Sequence, residues 1–288
     1  SLHDALPILH LAAGDGYRIK VVSCDNVSVY GYSSGAIMID AYYSFITPSN
    51  GSVVEPGALC AISWLTNTTG LVRLDLYNNS DIVTTLSTPE ASNLGYDWPV
   101  NYSYQAGDGY RIRYEHQSHT QLNGFSDYFV ISKGIQLTSP TGDQLSPGQD
   151  ISISWESNFN EGINLALISD DGYYLSIGYA NPGTHSYPFT LDYSVPQGYN
   201  YRFKVFSELD STICDYSHNL IRVLPGILVL TPGSESFVQT GNDFDLLWTD
   251  NIISPVSITL ISSSGDTTVI SSNTESDGSY CWNIPYDL

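Results

Sequence analysis

The chain has 288 residues, room for two or three ordinary domains, and only 14% of them are charged. Nine basic against thirty acidic residues leave a net charge of −21, which repels nucleic acid and anionic membranes and argues against both as partners. No apolar run approaches the ~20 residues of a membrane-spanning helix, and the abundance of Ser, Thr, Asn, Gly and Tyr with a single Met fits an all-β extracellular protein rather than a helical enzyme.

The first eight residues, "SLHDALPI", do not align with the equivalent part of the second repeat and resemble translated sequencing adapter. From Ala13 the chain becomes periodic. "AGDGYRIKV" at Ala13 returns as "AGDGYRIRY" at Ala106 and, more loosely, as "GYNYRFKVFS" at Gly198. Trp64, Trp155 and Trp248 close "CAISW", "ISISW" and "DLLW" at spacings of 91 and 93. Each unit opens alike, with "ITPSNGSVVEPG", "LTSPTGDQLSPG" or "LTPGSESFVQTG". Independent marks with one period identify repeats of about 92 residues. The expected division is 1–41 for the end of a first repeat, 42–133 and 134–225 for two whole repeats, and 226–288 for the start of a fourth.

Within a repeat the pattern is strand after strand. "ALCAISW" alternates with Cys60, Ile62 and Trp64 on one face, and "LVRLDLY" sets Val72, Leu74 and Leu76 against Arg73, Asp75 and Tyr77. "NNSD", "DDGY" and "SSGD" follow as hairpin turns. No window carries a 3.6-residue apolar period. Seven or so short strands per repeat predict an all-β fold of tandem immunoglobulin-like Greek-key β-sandwiches, truncated at both ends. In such a fold the Tyr after each Gly-rich turn anchors a corner through its hydroxyl, which assigns Tyr17, Tyr110 and Tyr201 as structural tyrosine corners. A phosphate loop is excluded because a strand follows, not a helix. Calcium stays open at Asp15 and Asp108, although one carboxylate per turn is thin against six to eight oxygen ligands.

Six of the nine basic residues, Arg18, Lys20, Arg111, Arg113, Arg202 and Lys204, lie two apart on the strand after that tyrosine. Cross-strand pairing, with Asp75 as partner in the second repeat, is the expected use; a basic stripe that recruits an acidic glycan or the next molecule is the alternative. The four cysteines, Cys24, Cys60, Cys214 and Cys281, fall one to a repeat, so no repeat closes an internal disulfide, and Cys60 is expected as a buried thiol. No catalytic constellation, cofactor motif or metal-ligand spacing is present in the sequence. "EHQSH" (Glu115, His116, His119) reads as a polar loop. Sequons stand at Asn26, Asn50, Asn67, Asn78 and Asn101. Tyr173, Tyr174 and Tyr179 are candidate glycan-contact aromatics, set against the ordinary use of Tyr as a strand former.

The order "ITxPxxGsxxxPG…ISW", "YxWxxP", "GdGYRIrv", "GFSDYFVIS" resembles the Ser/Thr-rich GPI-anchored membrane family, whose domain also forms the N-terminal part of the yeast cell-wall glucan-synthesis proteins. That resemblance implies an immunoglobulin-like fold, a secreted or cell-surface location, wall polysaccharide or surface proteins as partners, and no catalytic residues. Tandem arrays of this kind suit bacterial surface proteins as well. The functional expectation is an extracellular structural or adhesion stalk, with a carbohydrate-binding region of a larger wall-acting enzyme as the alternative. After "YCWNIPYDL" the pattern predicts a continuation with a Gly-rich turn and a Tyr-led strand. Without that strand the apolar row Leu246, Trp248, Ile258 and Leu260 is expected to stay uncovered.

Overall fold

The computed structural model describes residues 11–286, so the adapter-like segment lies outside the described residues. They divide into two compact units, one running to Gly134 and one starting at Ile135. Among the described residues every regular element but one short 3-10 turn (Ala91–Asn93) is a β-strand.

The first unit opens with β1 (Gly14–Tyr17), β2 (Lys20–Val22), β3 (Tyr30–Tyr32) and β4 (Ile37–Ile39), where β1 pairs β4 and β2 pairs β3. A complete sandwich follows. β5 (Tyr43–Thr47), β7 (Leu59–Thr66) and β10 (Gly95–Pro99) form one sheet in the order β10-β7-β5. The facing sheet runs β6-β13-β11-β8-β9, from β6 (Val53–Val54), β8 (Val72–Asn78), β9 (Asp81–Ser87), β11 (Gly107–His116) and β13 (Phe129–Ile131), with β12 (Asn123–Phe125) added to β11. The alternation read from the sequence sets the inward rows: Ile62 and Trp64 from β7 meet Val72, Leu74 and Leu76 from β8 and Tyr110, Ile112 and Tyr114 from β11, all buried. The Trp64 indole N–H donates to the Ala91 carbonyl at 2.9 Å, which satisfies its polar atom inside the core.

The second unit repeats that plan. β14 (Ile135–Ser139), β16 (Asp150–Ser157) and β19 (Ser186–Thr190) face a sheet ordered β15-β22-β20-β17-β18. Its members are β15 (Gln144–Leu145), β17 (Ile163–Ser169), β18 (Tyr174–Ala180), β20 (Gly198–Ser207) and β22 (Ile221–Val223), with β21 (Cys214–Tyr216) beside β20. The strands then recur: β23 (Ile227–Thr231), β24 (Asp243–Asp250) and β27 (Ser279–Asn283) make one sheet, and β25 (Val256–Ile261) pairs β26 (Thr267–Thr274). The chain is therefore an all-β series of tandem immunoglobulin-like sandwiches.

Small polar devices recur in register. Ser33, Ser126 and Ser217 each accept through Oγ the backbone N–H of the residue fourteen before, at 3.2, 2.9 and 3.2 Å. An asparagine three residues after the tryptophan grips the incoming chain. Asn67 Nδ2 donates to the Asp40 carbonyl and Asn67 Oδ1 accepts from the Tyr42 N–H, both at 2.9 Å. Asn251 repeats the bracket, donating to the Leu224 carbonyl at 3.0 Å and accepting from the Gly226 N–H at 2.8 Å, with a further bond to the Val195 carbonyl at 3.0 Å. The Asn67 sequon is thus built into the fold, with its amide occupied.

Asn251→Ala leaves one N–H and two carbonyls of partly buried backbone without this partner. It should destabilise the second unit by about 1–3 kcal/mol, read as a lower urea midpoint. A midpoint equal to wild type would show that the bracket contributes nothing.

Candidate functional site

The recurring Gly-rich turn positions its tyrosine by backbone conformation. Gly16 and Gly109 have φ of 80° and 83°, and Asn200, at the same place in the next copy, has φ of 73°. These are left-handed values that Gly and Asn tolerate best, which explains why the third spelling can differ. From that turn the hydroxyls of Tyr17, Tyr110 and Tyr201 each donate to the carbonyl five residues upstream. The acceptors are Ala12, Gln105 and Pro196, at 2.9, 2.7 and 2.9 Å. Tyr110 stacks against Phe129, and Tyr201 meets Tyr173 edge-on at 5.6 Å. Burial raises the Tyr201 phenol above its ordinary value. Asp15 and Asp108 are exposed, and among the described residues no group of three or more His, Cys, Asp or Glu side chains is placed to hold a metal ion.

The basic strand finds other partners than the expected ones. Asp75 is fully buried and lies opposite Arg113 in register, but its Oδ2 accepts from Arg73 Nε at 2.8 Å and its Oδ1 from Thr85 at 2.6 Å. Arg73 stands two residues away on the same strand, hence on the same face, and reaches the carboxylate first. The Asp75 hydrogen bond and negative charge hold the Arg73 guanidinium above its usual value. Arg113 pairs with Glu115 at 3.2 Å instead. Three other cations of that strand sit over aromatic rings: Arg111 at 3.8 Å from the Phe125 centroid, Lys20 at 4.3 Å from Tyr30, Lys204 at 4.9 Å from Phe206. Each such contact is worth about 0.5–1 kcal/mol at an exposed site.

His116 is fully buried, and both ring nitrogens are used. Its Nδ1 accepts the backbone N–H groups of Ser118 and His119 at 3.2 and 3.1 Å, so the proton lies on Nε2, which donates to the Thr69 carbonyl at 3.0 Å. Ser207, at the same point of the next repeat, accepts the N–H groups of Leu209 and Asp210. The "EHQSH" stretch is an anchored loop. Cys60 is half-buried, and desolvation raises its thiol; no two cysteines are joined.

The three candidate glycan tyrosines are not brought together as one platform. Tyr173 packs against the core, where burial raises its phenol. Tyr174 and Tyr179 are exposed on the edge strand β18, and the register shift opposite Leu165 and Ala166 keeps both on its outward side. The Tyr179 hydroxyl donates to Glu208 at 2.9 Å, and that bond raises its phenol first of all. Glu208 was not legible as a neighbour, because the register shift and the loop that carries it are both invisible in alternation.

Residues 47–131 match the model of the Kre9/KNH-like N-terminal Ig-like domain. That span runs from the end of β5 through β13 and is less than a third of the chain. No curated protein matches the chain. Among solved structures, a tetra-tandem repeat in the extending region of a large adhesion protein is similar at 16% identity, with 96% of this chain and 74% of that chain covered and a TM-score of 0.28. The CbhA fibronectin(III)-like modules of Clostridium thermocellum are similar at 13% identity, covering 63% of this chain and 94% of theirs, with a TM-score of 0.23. Three N-terminal domains of the bacteriophage RB49 outer capsid protein Hoc are similar at 12%, covering 86% and 88%, also at 0.23. At such identities and TM-scores these likenesses carry no weight beside the topology itself.

Tyr110→Phe keeps the ring and removes one hydrogen bond to a main-chain carbonyl, so it should lower stability by about 1–3 kcal/mol; an unchanged melting temperature would reject a corner role. Excess EDTA should leave the melting temperature where it is, since a saturating native-state ligand would otherwise add RT ln(1 + [L]/Kd). A fall that calcium restores would assign Asp15 and Asp108 to a metal.

Proposed function

We propose that this chain is a stretch of an extracellular array of Ig-like repeats, divided near residues 41, 133 and 225, that serves as a structural or adhesion segment at a cell surface. The observation that carries the reading is the recurrent bracket at Asn67 and Asn251. A linker hydrogen-bonded on both sides of one residue is a stiff joint, unlike a Gly/Ser tether. Stiff joints suit a part that sets distance. The Ig-like domain match over residues 47–131 supports the same reading, as does the internal use of the polar groups that might have formed a site: His116, Asp75 and the three corner tyrosines. The strongly acidic surface limits wall partners to neutral polysaccharide or to surface proteins with basic faces.

A carbohydrate-binding role is favoured by one observation, the exposure of Tyr174 and Tyr179 on one outward face beside Glu208, since a ring face and a carboxylate together suit a sugar. Binding to insoluble cell-wall polysaccharide and to a glycan array separates the two readings. The structural segment predicts no saturable binding, or binding that Tyr174→Ala and Tyr179→Ala leave unchanged. Saturable binding lost at least tenfold in those variants would replace it with the carbohydrate-binding role.

A further inference from the structure

We propose that the tyrosine corner of a repeat also seats the repeat that follows, so that Tyr17 and Tyr201 are positioning residues of a joint and neighbouring repeats are coupled through them. The inference deepens the structural reading above and rests on the same asparagine bracket.

Each of the two units contains one junction between repeats. At the first junction the corner hydroxyl and the following repeat engage one and the same peptide group. Tyr17 donates to the Ala12 carbonyl at 2.9 Å, and the N–H at the other end of that peptide, on Ala13, donates to the Asn67 carbonyl at 3.0 Å. A peptide that accepts a bond at its oxygen is a stronger donor at its nitrogen, because polarisation runs along a chain of hydrogen bonds. The Tyr17 hydroxyl therefore acts on Asn67 through a single peptide.

At the second junction the same loop meets the same asparagine through different atoms. Tyr201 donates to the Pro196 carbonyl at 2.9 Å, and the carbonyl just before it, that of Val195, accepts from Asn251 Nδ2 at 3.0 Å. Val195 is buried in the core of the third repeat, so its side chain and the tyrosine fix the seat together. Asn251 also donates to the Leu224 carbonyl at 3.0 Å, and its amide oxygen accepts the Gly226 N–H at 2.8 Å. Its own backbone N–H donates to the Gly226 carbonyl at 3.3 Å. Gly226 is held from the preceding repeat as well, since a Cβ there would stand 3.1 Å from the Pro147 ring. The linker is thus clamped between the corner end of one repeat and the asparagine of the next.

A hydrogen-bond network that crosses a junction makes opening on one side cost contacts on the other, and such coupling is reciprocal. Loosening the corner should loosen the bracket, and removing the bracket should loosen the corner. Repeats joined in this way draw part of their stability from their neighbours.

Native-state amide hydrogen exchange of the full chain, resolved by residue, reads both directions. Tyr201→Phe should speed exchange of the Gly226 and Asn251 N–H groups roughly threefold or more over wild type. Ile163→Val also weakens the core of the third repeat, but it lies opposite Ser207, at the far end of the strand from Tyr201, and should not reach that factor. Asn251→Ala should in turn speed exchange of the Val195 N–H, which donates to the Asp192 carbonyl within the corner loop. Tyr17→Phe gives the same reading at the Ala13 and Tyr42 N–H groups, which both bond Asn67, and decides the matter if a third-repeat variant does not fold. Glycan binding, which tests the functional reading, is not measured in this experiment, so either can fail without the other. Gly226 and Asn251 exchange that stays below that factor in Tyr201→Phe, or that rises as much in Ile163→Val, would overturn the proposal. So would a Val195 N–H indifferent to Asn251→Ala, because the corner would then serve its own repeat alone.

Discussion

The constraint on which the rest depends is the inward row of the strand that ends in tryptophan. Trp64 and Trp155 each put an indole at the centre of a sandwich, and such an apolar row is stable only when a facing sheet closes over it. In the two complete sandwiches the closing layer is led by β11 or β20, and its position follows from a corner, a serine and a register. The Gly-rich turn sets the entry, the tyrosine hydroxyl ties the strand to the chain just upstream, and Ser126 or Ser217 fills the N–H that β12 or β21 leaves open. These features serve a single layer of cover, which is why they travel together from copy to copy.

The polar chemistry of the chain is correspondingly turned inward. A buried histidine, a buried carboxylate and a row of outward cations would each draw attention as parts of a site. Here His116 holds a loop through both nitrogens, Asp75 is claimed by Arg73 and Thr85, and Arg111, Lys20 and Lys204 lie over rings of their own sheet. Three of the chain's few cations thus rest on aromatic faces, while Arg73 and Arg113 are held by carboxylates.

The all-β class, the tandem repetition and the inward rows of β7 and β8 were legible because they rest on local rules: alternation and a fixed period. Asp75 departs from the expected cross-strand pairing because Arg73, two positions along the same face, reaches its carboxylate first. The asparagine bracket was equally within reach. Asn67, Asn158 and Asn251 keep the 91 and 93 spacings of the tryptophans, but a single polar residue in an Asn-rich chain does not stand out until its backbone partners are known. The outward placement of both Tyr174 and Tyr179 depends on a register shift that no period reveals. The turn in the third repeat shows the converse: its spelling changed from Gly-Asp-Gly to Gly-Tyr-Asn, yet Asn200 keeps the same backbone conformation.

In an otherwise antiparallel fold, β6 runs parallel to β13 and β15 parallel to β22. Each pair joins a strand near the start of a repeat to one near its end. When such a repeat is stretched from its two ends, the paired strands are drawn past one another along their length. The hydrogen bonds between them are then loaded together in shear, not peeled open one after another. Resistance to pulling is governed by the rate of unfolding, not by equilibrium stability. The load therefore falls on a few bonds, such as those from the Val130 and Ser132 N–H groups to the Ser52 and Val54 carbonyls, both 2.9 Å, and not on the tryptophan core.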